Sequence, residues 1–244
     1  MKRKYVLWLL VIFIILTCGM VYWFYFAPPA AFPDKGKIKN ILMDPHNGID
    51  IAEVQDTIFL DDKHVYIPFT TKTESHGISL WEWKKHKWQL SSFSTGSMPF
   101  IWKIDSDDPA THIIMWNFHP ENNVDYLKFF LIKERGYSIT EGKHQYGPGV
   151  QMDFRVNSGG LSYGYSPIPS EWQEYMKAEN KLMKAMKPNP FFGDLFPPAQ
   201  YYFGWQSISK DGTVEFPSIP DINGFGSGGQ STENLRFLNE NDVY

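Results

Sequence analysis

The chain has 244 residues and a single cysteine, Cys18. One cysteine excludes a disulfide framework within the chain, and no thiol is available anywhere after residue 18. A domain exported without disulfides is held by its apolar core alone, a usage that suits a bacterial surface better than a eukaryotic secreted scaffold. No H-E-x-x-H zinc-hydrolase sequence occurs, and no serine-nucleophile signature is recognised. Acidic residues are absent before Asp34, and charge of either sign is absent from Tyr5 to Ala27.

That uncharged run is the most informative stretch. Thirteen of its 23 residues are Leu, Ile, Val or Phe. As a helix it is about 35 Å long, enough to cross a hydrocarbon core of about 30 Å, and insertion is favoured by roughly 4–8 kcal/mol. Tyr5 and Trp8 mark one edge and Tyr22, Trp23 and Tyr25 the other, as amphipathic rings at an interface do. Lys2, Arg3 and Lys4 precede the run, so the expected topology has residues 1–4 in the cytoplasm, 5–27 spanning the membrane, and the rest outside. A cleaved signal peptide fits less well. The apolar run is too long, and prolines stand where small residues should precede a cleavage site. A lipoprotein acylated at Cys18 is the other rival, but Thr17 sits poorly before the cysteine and Gly19 to Phe26 stays apolar.

Beyond the span the chain carries 20 basic and 27 acidic residues, a net charge of −7. That balance argues against nucleic acid as a partner. About 215 residues are enough for one domain with a sizeable core or two small ones. The aromatic content of 17% suits strands.

Residues 28–37, which include Pro28, Pro29 and Pro33, read as a stiff spacer that lifts the domain off the bilayer. From Ile38 to residue 220, short apolar-polar segments alternate with turns, the pattern of an antiparallel β sandwich or open barrel. The spacing also admits a small propeller, though nothing repeats from blade to blade. Val65, Ile67 and Phe69 share one strand face. Ile78 to Trp83 and Trp88 to Phe93 form a hairpin in which Trp83 faces Trp88 and Trp81 faces Leu90, if the tip is a four-residue loop. Strands are expected at Thr111 to Phe118 and Val124 to Lys133. Val150 to Val156 and Leu161 to Tyr165 alternate strictly and read as a second hairpin closed by Asn157 to Gly160. Tyr201 to Ser209 and Thr213 to Phe216 form a third.

One helix breaks the pattern. Ser170 and Gln173 suggest a capping box, and Trp172, Tyr175, Met176, Leu182, Met183 and Met186 form one apolar stripe for packing on the sheet. Asn189 to Pro198 reads as a loop, and residues 221–244 as a flexible polar tail.

Candidate sites are few. Gly224 to Gly229 matches G-x-G-x-x-G, but no helix follows it and a linker is the better reading. Asp105 to Asp108 resembles the start of a calcium loop, yet Ala110 and Trp116 stand where an EF-hand needs Gly and Glu, so a turn is expected. Asp44, His46 and Asp50 also read as a turn. His112 and His119 are seven apart and fall on opposite strand faces; His112 reads as a satisfied core histidine beside Ile114, Trp116 and Phe118. The patch that stands out is the hairpin tip: Lys84, Lys85 and Lys87 with Trp81, Trp83 and Trp88. Cations beside flat rings suit anionic polymer, lipid head groups or sugars.

The expected function is a non-enzymatic binding or accessory module at a bacterial cell envelope, in contact with membrane lipid through residues 5–27 and with cell-wall polymer or another membrane protein. No cofactor or metal site is implied. The alternative is an envelope hydrolase with an unmotifed carboxylate site. If residues 5–27 are the anchor, Cys18→Ser leaves the full-length protein in the membrane fraction; its release into the soluble fraction would sink that assignment in favour of the lipoprotein.

Overall fold

The computed structural model describes residues 2–26, 28–44, 49–96, 98–122, 124–140, 142–157, 162–186, 201–217, 226–227 and 231–243. Helix α1 (Lys2–Phe26) is continuous. Over Lys4–Phe24 its mean hydropathy is 2.5 and none of it is buried in the protein, so it is long and apolar enough to cross a membrane. Cys18 lies exposed on its surface.

Residues 28–34 are extended, as their prolines dictate, but they are not a free stalk. Trp88 Nε1 donates to Ala30 O at 2.9 Å. Phe32 sets its ring edge-on to Phe59, Trp81 and Trp88. The spacer also ends earlier than expected. Asp34 accepts a hydrogen bond from Lys37 N at 2.9 Å and caps helix α2 (Lys35–Leu42). Ile38 and Leu42, four apart on one helix face, are buried, where the sequence pattern had suggested the first strand.

Strands follow in order: β1 (Ile51–Val54), β2 (Ile58–Phe59), β3 (His64–Thr71), β4 (His76–Lys84), β5 (Lys87–Ser94), β6 (Phe100–Lys103), β7 (His112–Asn117), β8 (Val124–Lys133), β9 (Gly136–Thr140), β10 (Lys143–Gly147), β11 (Val150–Asn157) and β12 (Tyr163–Pro167). Helix α3 (Ser170–Met186) precedes β13 (Tyr202–Ser209), β14 (Gly226–Ser227), β15 (Thr232–Asn234) and β16 (Arg236–Phe237). The fold is mainly β. One sheet runs β1-β3-β4-β5-β14 with β2 beside β3, a second β12-β7-β6-β15, and a third β11-β8-β13-β16; β9 and β10 pair on their own. All pairs are antiparallel except β13 with β16.

Strand alternation sets the layers. In the first sheet Val65, Ile67, Phe69, Trp81 and Phe93 pack on Ile38 and Leu42 of α2. The other face sends Tyr66, Ile78 and Leu80 against Phe100, Trp102 and Met115 of the second sheet. The opposite face of that second sheet buries Ile101, Ile114 and Trp116 against Leu127, Phe129 and Leu131 of β8 and Phe203 and Trp205 of β13. The second sheet is therefore apolar on both faces.

Helix α3 joins this last core. Trp172 and Met176 are buried and Tyr175 half-buried, with Trp172 against Phe154 and Phe203. Leu182, expected on the packed stripe, is exposed because the helix runs past the sheet. The side chains of Met183 and Met186 lie outside the described residues, as does the loop Asn189 to Pro198. The capping box does not form. Gln173 N donates to Pro169 O, so the helix begins one residue earlier, and Gln173 Nε2 turns back to Ile168 O.

Two further expectations are corrected. Strands β11 and β12 exist, but they do not pair with each other. Every residue of β11 pairs with β8, from Val150↔Lys133 to Asn157↔Tyr126, whereas β12 lies on β7 in another sheet. Alternation reports which face is buried, not which strand is the neighbour. Nor are residues 231–243 a free tail: β15 pairs with β6 and β16 with β13, and Leu235 and Leu238 are buried. Leu238 rests on Gly204, where an added Cβ would come within 2.4 Å of it. Removing the Leu238 side chain should cost about 2–5 kcal/mol. Denaturant unfolding of the full-length Leu238→Ala protein measures this, and an unchanged midpoint would restore the free-tail reading.

Candidate functional site

The hairpin of β4 and β5 carries the candidate patch. Trp83 pairs with Trp88 and Trp81 with Leu90, as expected, but Lys84 also pairs with Lys87. That leaves a two-residue tip, Lys85-His86. Both have positive φ, 51° and 59°, as a type I′ turn demands. Asn-Gly would fill such a turn with least strain, and a non-glycine residue there costs about 1–3 kcal/mol. Two lysines facing each other across the ladder are a further expense. The tip is thus built against local preference, the usual sign that side chains are placed for contact rather than stability.

Its contact is the end of helix α1. The His86 imidazole stacks on Trp23 with centroids 5.0 Å apart and meets Phe24 edge-on, and Trp83 closes on it from the hairpin side. His86 Nε2 is buried there without a hydrogen-bond partner. Beside this clamp lies a cleft of about 570 Å³, walled by Met20, Val21 and Phe24 of α1 and by Lys63, Trp83, Lys84 and Lys85 of the domain. Lys63 arrives through the turn before β3, where Trp83 N donates to Lys63 O at 2.8 Å.

The charges differ in standing. Lys84 is ion-paired with Glu82, a buried carboxylate that also accepts from Ser91 Oγ at 2.8 Å. Lys63 and Lys85 make no ion pair among the described residues. The lysines and the Trp83 ring line the cleft together with the apolar side chains of Met20, Val21 and Phe24.

Of the six residues expected at the site, Trp83, Lys84 and Lys85 line the cleft. Trp81 does not: it is wholly buried, its indole N–H donating to Ser79 Oγ at 3.0 Å. Trp88 is turned to the spacer through Ala30 and Phe32. Lys87 is exposed across the ladder from Lys84 and off the cleft lining. Met20, Val21, Phe24 and Lys63 were missed, because nothing in their local sequence distinguishes span or turn residues that face a hairpin distant along the chain.

Other candidates resolve as follows. Asp105 and Asp108 cap a turn and a short 3-10 helix through Asp107 N and Ala110 N. Asp108 also bridges to Lys177 of α3 at 3.2 Å. Asp50 pairs with Lys72 at 2.9 Å, and His46 lies outside the described residues. Of the glycine run, Gly226 and Ser227 pair with β5 and the rest lies outside the described residues. No group of three or more metal-ligating side chains occurs among the described residues.

A serine-nucleophile pattern, not expected in this chain, is nonetheless present. Gly160-Leu161-Ser162-Tyr163-Gly164 fits G-x-S-x-G letter for letter. A nucleophile elbow needs a strand before it and a helix after it. Here Ser162 leads directly into β12, and no hydrogen bond joins it to a histidine among the described residues. A second cleft, of about 250 Å³, is lined by Glu121, Asn122, Ser207, Ser209 and Glu215 among others. Both glutamates are exposed.

Protein-family models, curated proteins and solved structures were all compared with the chain, and none matches.

His112 departs from the satisfied histidine expected. It is buried, with Nε2 3.2 Å from Asp105 O and Nδ1 unpartnered. Burial first, then the nearby Lys103 charge, holds its imidazole below the usual 6.5; burial also lowers His76. Both are neutral in the fold and take up protons more readily once unfolded. Their contribution is therefore complete above about pH 6.5 and is lost as pH falls from there toward the lowered folded values. Urea midpoints of the full-length protein should drop between pH 7.5 and 5.5, and drop less in His112→Phe. Equal pH dependence in the two proteins would exclude His112 as a source.

Proposed function

We propose that the protein is a single-pass, membrane-anchored binding or accessory module of a bacterial cell envelope, without catalytic activity of its own. The N-terminal tip lies in the cytoplasm and the β domain outside. One observation carries this reading: α1 exposes an apolar surface from Lys4 to Phe24 while the His86 and Trp83 tip of the domain meets it near its end. An apolar surface of that size left bare belongs in lipid, and the basic triplet at its start favours the cytoplasmic side.

We further propose that the three sheets form a sandwich-like stack rather than an open barrel, a description supported by their shared cores. The binding role is supported by two surfaces. One is the cationic and aromatic cleft at the membrane end of the domain. The other is the β9–β10 arm, which exposes Tyr137, Ile139 and Tyr146, an arrangement suited to another membrane protein. The spacer, packed on the domain, holds it close to the bilayer surface.

The topology is open to direct measurement. A C-terminal alkaline phosphatase fusion to the full-length chain should be active, and a C-terminal green fluorescent protein fusion dark, when exported by the general secretory route in bacteria. The reverse pattern places the domain in the cytoplasm and ends the envelope reading.

A further inference from the structure

The cleft at the hairpin tip has an unusual position. Its floor is the anchor itself. With about 1.5 Å of rise per residue, Met20 lies roughly 9 Å below Phe26 along the helix, so with α1 as a membrane span this wall lies within the outer half of the bilayer and not in bulk water. Its mouth carries Lys63 and Lys85, free of ion pairs among the described residues, beside Lys84, which Glu82 neutralises in part. Trp83 supplies the ring that such a depth favours. Met20, Val21 and Phe24 supply apolar surface in the same cleft.

We propose that this cleft binds the phosphodiester head group of an anionic phospholipid in the outward-facing leaflet. Lys63 and Lys85 hold the phosphate, and the acyl-glycerol portion lies on Met20, Val21 and Phe24. Three features favour lipid over a wall polymer. First, the occupant must present an anion and an apolar stem together, since the cleft is lined by cations and by apolar side chains. Second, a water-borne polymer would have to enter the bilayer interface to reach the α1 wall. Third, the chain beyond the anchor carries a net charge of −7. A domain so charged is repelled as a whole by an anionic surface, so it can lie close only where cations meet that surface. The tip supplies them, on backbone that local preference would not choose. The proposal rests on the reading of α1 as the membrane anchor.

The test uses the full-length protein in a neutral maltoside detergent. Dihexanoyl phosphatidylglycerol and dihexanoyl phosphatidylcholine are titrated separately, and bound lipid is counted by native mass spectrometry. The expected result is one saturable phosphatidylglycerol per chain, with phosphatidylcholine at least tenfold weaker. The Lys63→Ala/Lys85→Ala double variant, whose lysines are exposed, should keep its unfolding midpoint yet bind phosphatidylglycerol roughly tenfold or more weakly. Equal affinity for the two lipids overturns the proposal, as does an unaffected double variant. Displacement by inorganic phosphate at the same concentration as the lipid would also overturn it, making the site one for free phosphate. Lipid binding in detergent does not depend on topology. Failure here with an active alkaline phosphatase fusion removes only the head-group site. A cytoplasmic domain that still binds the lipid refutes the leaflet assignment and the envelope reading while retaining the site.

Discussion

A β strand has two faces, and strands β6 and β7 bury both of theirs. Phe100, Trp102 and Met115 turn to the first sheet while Ile101, Ile114 and Trp116 turn to the third. This double burial joins the N-terminal and C-terminal halves of the domain into successive layers sharing cores. It also explains why β12 leaves its sequence neighbour. A middle sheet must be covered and extended along both edges, so β12 closes one edge on β7 and β15 the other on β6. The chain's last described residues are recruited for the same reason, and burial of Leu235 and Leu238 holds them in place.

The first sheet links this stack to α1. Its outer face is closed by α2 and by Phe32 of the spacer, so the segment that follows α1 packs on the domain core and is not a tether. The hairpin of β4 and β5 then reaches back to α1. Trp81 and Phe93 root it in the core, and Trp83 and His86 close on Trp23 and Phe24. Domain and helix thus meet at two places, the spacer and the tip, and the cleft between them follows from that double attachment. The strained Lys85-His86 turn and the opposed Lys84 and Lys87 are unfavourable locally.

Much of the local structure was legible in the sequence. The span follows from an uncharged run whose length matches a bilayer. The Trp83–Trp88 and Trp81–Leu90 register follows from period-2 alternation about a polar tip, and the face shared by Val65, Ile67 and Phe69 from the same rule. Three of the seven residues lining the candidate cleft were visible too, because Trp83, Lys84 and Lys85 are contiguous in the chain. Lys63 and the anchor residues were not: each lies in a segment with its own sufficient explanation, a turn or a span. Trp81 was misjudged for a related reason. Alternation assigns residues to faces without saying which face is covered, and here the covered face holds Trp81.

The sequence by itself therefore determined what depends on neighbours along the chain: an apolar helix of bilayer length, the strands with their alternating faces, the helix beginning near Ser170, and a cationic hairpin tip. Tertiary structure alone decided which strands became neighbours, that the spacer and the tail are packed, and that the tip meets the anchor. The physical reason is that hydrophobic burial is non-directional. It requires that Trp81, Leu238 and Phe32 be covered but does not specify by what. Only the simultaneous satisfaction of every layer selects β8 for β11, Gly204 for Leu238, and Trp23 for His86.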